Sequence, residues 1–222
     1  MRSFLVFPPE PIPPLPPSFD GPDVRFPARL VKMLLAEFTR PGNLVFDPFG
    51  GFGTTLIAAE EMNRVPCGVE WDESRFDYIR SQLRDSSRLF HGDSRRLSEL
   101  DLPPLGFSLT LPPYMNRHDA ENPLTNYTVP FASGEDGYAR YLRELTAIYA
   151  NIAARLRPGA RAIVEVSNLR QHEDEPTFLA WDIARTIGSV LPLEREIVCC
   201  WEGGYGNGYD HSYCLVFRRP SP

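Results

Sequence analysis

A chain of 222 residues with 42% apolar and 12% aromatic content can bury one substantial core, so one globular domain is the default. Its formal charge of −6 excludes a generally basic surface of the kind that grips nucleic acid, and any basic patch must be local. No basic-then-apolar leader and no run of about eighteen apolar residues occurs, which predicts a cytoplasmic protein with no membrane contact.

Residues 8–17, Pro-Pro-Glu-Pro-Ile-Pro-Pro-Leu-Pro-Pro, suit neither a helix interior nor a central strand, because proline lacks the amide donor and fixes φ. They predict an arm over 1–22, either docked or disordered, with a proline-recognition ligand as the rival reading, ahead of a domain over 23–222. From Pro27 to Phe38, the apolar residues Leu30, Val31, Met33, Leu34, Leu35 and Phe38 predict an amphipathic helix that stops before Pro41-Gly42. Strands follow near 44–47, 66–70, 88–92, 106–110, 161–167, 196–202 and 212–218, with helices near 54–63, 73–84, 137–156 and 176–190. That alternation predicts an α/β doubly wound, mostly parallel sheet of seven strands. A glycine-rich connection alone separates the last two strands, so the last is expected to run antiparallel. Cys67, Cys199, Cys200 and Cys214 lack paired metal spacing, and neither zinc nor a disulfide is expected.

The apolar run Leu44-Val45-Phe46 leads into Asp47-Pro48-Phe49-Gly50-Gly51-Phe52-Gly53-Thr54-Thr55, which reads as a strand, a tight turn and a helix start. Glycine lets backbone approach a ligand closely, and the helix N-terminus favours a carboxylate or phosphate, so a small anionic cofactor is expected. Positions 51, 53 and 56 carry Gly, Gly and Leu, which departs from the dinucleotide fingerprint, and no Gly-Lys-Thr follows for a phosphate-binding loop. A purely structural βα turn is the other reading.

Asp-Pro-Phe-x-Gly-x-Gly-Thr-Thr at 47–55 resembles the first motif of the S-adenosylmethionine-dependent amino-methyltransferases of nucleic acids. Leu111-Pro112-Pro113-Tyr114 resembles that family's catalytic loop, in which Ser, Asp or Asn precedes Pro-Pro-Tyr, with Leu111 departing from the pattern. The resemblance covers roughly residues 23–219. It implies a Rossmann-like class I methyltransferase fold, S-adenosyl-L-methionine as cofactor and a nucleic-acid partner, DNA being favoured over RNA. Little length remains for a separate recognition domain, which brings in a protein partner or a homodimer.

For cofactor binding, the resemblance draws on Asp47, Pro48, Phe49, Gly51, Gly53, Thr54 and Thr55. Asp47 is read either as an acceptor for the methionine ammonium or as a turn cap. Glu70 ends the second strand some twenty residues after the turn, the place from which an acid binds ribose hydroxyls. Trp71 packs on adenine or in the core. Asp93, after His91-Gly92, matches the family's adenine-binding acid or caps a turn. Phe26, in Phe26-Pro27-Ala28-Arg29-Leu30, resembles an additional cofactor motif, with helix-start packing as the alternative.

In the loop, the Pro112 carbonyl is expected to accept from the target amine, Pro113 to stiffen the path and Tyr114 to stack on an extruded base. Leu111 cannot accept a hydrogen bond. Three explanations stay open: low activity, a substitute acceptor such as Asn116, or replacement of an original serine. Serine fits best, because Thr-x-Pro-Pro-Tyr-Met-Asn-Arg at 110–117 most resembles the Ser-Pro-Pro-Tyr subgroup, which is associated with methylation at the 4-amino group of cytosine. Asn116 and Arg117 open a long polar connection, where Arg117 meets a phosphate and Tyr127 or Phe131 holds the target, or where the segment is a plain surface loop. Arg84, Arg88, Arg95 and Arg96 read as a phosphate face or, given the interleaved acids, as a solvated mixed-charge face. Residues 205–210 read as a plain β connection. A cofactor-binding module without catalysis is the rival from another class.

Overall fold

The computed structural model describes residues 2–11, 14–17, 19, 25, 27–125, 129–170, 175–204 and 207–221. In chain order the elements are β1 (Phe4–Phe7), α1 (Ala28–Phe38), β2 (Leu44–Asp47), α2 (Thr54–Glu61), β3 (Val65–Glu70), α3 (Glu73–Gln82), β4 (Leu89–His91), β5 (Leu105–Thr110), α4 (Gly137–Arg155), β6 (Leu156–Val166), α5 (Leu179–Gly188), β7 (Leu193–Trp201) and β8 (His211–Arg218). Short 3-10 turns cover Ser94–Glu99 and Pro123–Thr125.

The strands form one sheet in the order β1-β7-β8-β6-β5-β2-β3-β4. Both pairings of β8 are antiparallel and every other pairing is parallel, as expected for the last strand. The sheet has eight strands where seven were expected. The extra one, β1, pairs in parallel with β7 from Phe4↔Val198 to Phe7↔Trp201, and the Phe7 ring stacks on Trp201 with centroids 4.6 Å apart. Four residues halted by Pro8-Pro9 are too few for the alternation that marks a strand in sequence, and the pairing that creates this one lies almost 200 residues away.

Side-chain alternation along the strands feeds two apolar layers. Ala162, Val164 and Val166 of β6 face the layer under α4 and α5, with Tyr141, Leu145, Tyr149, Ile183 and Ile187. Ile163 faces the opposite layer, with Leu30, Val31, Leu34 and Leu35 of α1 and Ala58 and Ala59 of α2. Each fully buried Leu, Ile or Val here contributes roughly 1.5–3 kcal/mol. A smaller cluster, Leu56, Ile79 and Leu83, joins α2 to α3. From β2 the chain winds outward through β3 and β4, then returns to β5 on the other side of β2. The order therefore reverses between β2 and β5, and the carboxyl ends of those strands open the crevice where such sheets take ligands.

Candidate active site

At the carboxyl end of β2 the backbone turns sharply, with Gly51 and Gly53 at φ of 57° and 78°, a region that disfavours side chains. Space is equally restrictive: a Cβ on Gly53 would lie 3.0 Å from Ile79, and one on Gly50 would lie 3.2 Å from the Val69 carbonyl. The turn is thus pressed against β3 and α3. Gly53 stands at the N-cap of α2 and, lacking a side chain, provides no side-chain cap to that helix.

Two buried acids flank this turn. Asp47 is 3% exposed, and its Oδ1 accepts from the Phe49 amide at 3.0 Å and the Thr110 hydroxyl at 2.5 Å, with Thr55 as a further donor. Burial outweighs these bonds and raises its carboxyl from the ordinary 3.8 to about 7. Glu70 accepts from the Gly51 amide at 2.6 Å and the Asp72 amide at 2.8 Å, and burial raises its pKa as well. One carboxylate therefore ties the end of β3 to the glycine turn of β2.

Around them, the Pro48 carbonyl accepts from the Ser94 hydroxyl, Phe49 packs against the α4/α5 layer, and Thr54 and Thr55 open α2. Trp71 is 40% exposed, with its carbonyl accepting from His91 Nε2 at 3.0 Å. Asp93 caps the Ser94–Glu99 turn and pairs with Arg95 at 2.6 Å. Asp47, Glu70 and Asp93 thus close the adjacent strands β2, β3 and β4 at one edge. Phe26, Tyr127, Tyr205 and Gly206 lie outside the described residues.

The Leu111–Tyr114 segment leaves β5 beside this edge, and Thr110, its last strand residue, bonds Asp47. Leu111 packs against the apolar layer of α1 and α2. The Tyr141 hydroxyl donates to the Pro113 carbonyl at 2.8 Å, one position past Pro112. Tyr114 donates to buried Glu165 at 3.3 Å and accepts from the Ser167 amide at 2.9 Å, which fixes its ring. Asn116 is 8% exposed, and its backbone N–H donates to the Asp119 carboxylate at 2.7 Å. Arg117 lies over the Tyr138 ring and pairs with Asp182 at 3.2 Å, while its amide donates to Thr177. Phe131 packs beside α4, with Arg140 over its ring.

Arg84, Arg88, Arg95 and Arg96 each pair with an acid: Glu60, Asp85, Asp93 and Glu99 respectively. The four cysteines are free thiols, three of them buried. Thr110, Tyr141, Glu165 and Ser167 belong to the site without having been singled out in sequence. Thr110 directly precedes the Leu111-Pro112-Pro113-Tyr114 loop, and Glu165 is the one acid in the apolar run Ala162-Ile163-Val164-Glu165-Val166, so both carried a signal. Tyr141 and Ser167 carried none.

Residues 21–81 match the model of a family described as DNA methylase, N6_N4_Mtase. Type II methyltransferase M.HindIII of Haemophilus influenzae is 48% identical over 57 residues, 26% of this chain and 18% of that protein. The match thus spans under a fifth of that relative's length. The structure of TrmN from Thermus thermophilus superposes over 86% of this chain and 48% of that chain, with a TM-score of 0.61 and 19% identity. A TehB-like SAM-dependent methyltransferase from Corynebacterium glutamicum superposes over 85% of this chain and 86% of its own, with a TM-score of 0.56 and 15% identity. The fold is that of the class I methyltransferases. Over residues 21–81 the similarity is to the DNA methylases of the N6_N4_Mtase model.

Proposed function

We propose that this chain is an S-adenosyl-L-methionine-dependent methyltransferase of an exocyclic amine in a nucleic-acid base, with the 4-amino group of cytosine in DNA favoured. The observation that carries the reading is the Thr110–Asp47 hydrogen bond at 2.5 Å, which joins the start of the Pro-Pro-Tyr loop to the acid of the glycine turn. The family description and the name of the type II relative favour DNA over RNA.

The turn fits the cofactor in its donors and acceptors. Glycines too crowded for a Cβ, an α2 N-terminus with no side-chain cap and two buried carboxyls suit a ligand carrying carboxylate, ammonium and ribose hydroxyls. Asp47 is assigned to the ammonium, the α2 amides to the carboxylate, Glu70 to the ribose, Asp93 to the adenine amino group and Trp71 to its ring. Bound there, S-adenosyl-L-methionine supplies an electrophilic methyl group on a sulfonium.

The loop's task is to orient a poor nucleophile, because the lone pair of an exocyclic amine is delocalised into its ring. An acceptor at Pro112 draws one amine hydrogen, and Tyr114, held by Glu165 and Ser167, offers a fixed ring face to an extruded base. Leu111 supplies no second acceptor. Losing such a contact costs about 1.5–3 kcal/mol, roughly ten- to more than a hundredfold in rate. A second reading, a cofactor-binding module without catalysis, draws on the packing of half-buried Leu111 against the α1/α2 layer.

Transfer of labelled methyl groups to duplex DNA and to structured RNA, by this chain and by Leu111→Ser, tests the proposal. Serine is expected to raise the rate at least tenfold and yield 4-methylcytosine. Label in RNA alone would overturn the DNA assignment. Silence from both proteins, with cofactor bound, would favour the non-catalytic module.

A further inference from the structure

Outside the catalytic loop, four aromatic rings run in a row: Trp181 and Tyr213 with centroids 4.9 Å apart, Tyr213 and His211 at 5.2 Å, and His211 and Tyr209 at 5.5 Å. Residues 209, 211 and 213 share one side of the β8 path because strand side chains alternate. A 2.9 Å hydrogen bond between His211 Nε2 and the Tyr213 hydroxyl holds the middle of the row. Trp181, at one end, is 43% exposed, and Phe178, one helical turn before it, is 47% exposed. Trp181 and Phe178 thus expose large apolar rings at one end of the row, while Tyr213, His211 and Tyr209 are half-buried and meet edge to face.

The row continues directly from the catalytic loop. Tyr213 pairs with Val166, and the next residue, Ser167, donates to the Tyr114 hydroxyl. Trp181 neighbours Asp182, which receives Arg117 from the same loop. At the far end the β7–β8 connection docks on Arg170, whose amide donates to the Asn207 carbonyl at 2.8 Å, and Gly208 lies so close to Arg170 that a Cβ would be 2.8 Å away. Arg117 and Arg170, both exposed, therefore border the rings.

We infer that the row Trp181–Tyr213–His211–Tyr209 is a stacking platform for unpaired bases of the substrate strand next to the target base. The inference rests on the nucleic-acid reading above and adds the surface that holds the strand. A chain of charge −6 whose Arg84, Arg88, Arg95 and Arg96 are all paired with acids has little general attraction for phosphate. Base–aromatic stacking, with Arg170 beside the Tyr209 end of the row, supplies affinity without a basic face and tolerates any base.

The test measures anisotropy of a fluorescein-labelled single-stranded DNA of about twelve nucleotides on this chain, Trp181→Ala, Trp181→Phe and Tyr209→Ala, with S-adenosylhomocysteine binding followed by calorimetry on each protein. Trp181→Ala is expected to weaken the oligonucleotide about 5- to 100-fold, Trp181→Phe to stay within about threefold, and cofactor-product affinity to be unchanged. Equal oligonucleotide affinity for Trp181→Ala and its parent, or no binding by a parent that holds S-adenosylhomocysteine, would overturn the platform. Oligonucleotide binding that depends on Trp181 in a protein that does not hold S-adenosylhomocysteine would support the platform and overturn the cofactor assignment instead. Self-association lost in Trp181→Ala, with oligonucleotide affinity intact, would assign the row to a second copy of the chain and overturn the proposal.

Discussion

Glu70 and Asp47 draw most of their donors from nearby backbone, at separations of 2 and 19 residues, whereas the Leu111–Arg117 segment is fixed by side chains and amides 28 to 65 residues further on. The glycine turn is the more local device: its sequence and backbone conformation coincide in one stretch, and among its hydrogen bonds Thr110 to Asp47 is the longest in sequence, at 63 residues. The loop is a tertiary device, shaped by Tyr141, Glu165, Ser167 and Asp182 from α4, β6 and α5. A chain can therefore keep the first intact while the second drifts, and the proposed reading of Leu111 is of that kind.

The largest effect should come from filling the turn. Gly53→Val adds a Cβ 3.0 Å from Ile79 at a φ of 78°, and is expected to cost about 2–4 kcal/mol in urea unfolding. Gly42→Ala, at a similar φ of 81° with nothing within 4 Å, should cost only about 1–2 kcal/mol. Equal losses would mean that the turn is not packed as described.

A smaller effect is electrostatic. With its pKa at about 7, Asp47 keeps in the folded state a proton that the unfolded chain releases near 3.8. Its contribution to stability is therefore full below pH 3.8 and is lost as pH rises through about 7, at up to about 1.4 kcal/mol per pH unit. Glu70, also raised by burial, adds to the same slope. Asp47→Asn should flatten the decline in stability between roughly pH 4 and 7, measured by denaturant titrations across that range. A slope unchanged by the substitution would contradict the burial assigned to Asp47.

The smallest effect sharpens the division between the two regions. Tyr141→Phe removes the donor to the Pro113 carbonyl and should cost about 1 kcal/mol in stability while leaving S-adenosylhomocysteine affinity within about twofold. A large loss of that affinity would show that loop and turn are not separable.

The same division governs how much was legible in sequence. The parallel sheet with its antiparallel last strand, the five helices and the glycine turn follow from periodicity and turn chemistry, which are local. β1 did not, because four residues carry no periodic signal and only the register with β7 makes them a strand. In the site, the positions of Asp47 and Glu70 at strand ends could be read directly. Their network could not, since Thr110 reaches Asp47 across 63 residues. Arg117 reads in sequence as a phosphate contact or as part of a plain surface loop, and the structure pairs it with Asp182, a partner no spacing rule could supply. Leu111 stood out as a departure in sequence, but its packing in the α1/α2 layer depends on the sheet.

The most direct test of the account is calorimetric titration of S-adenosylhomocysteine into the folded chain and into Glu70→Gln. One site per chain, weakened roughly 10- to 100-fold in Glu70→Gln, is the predicted result, since hydrogen bonds to a charged group contribute about 1.5–3 kcal/mol. A folded chain that gives no binding heat, or a Glu70→Gln protein that binds as tightly as its parent, would contradict the assignment of the glycine turn as a cofactor site.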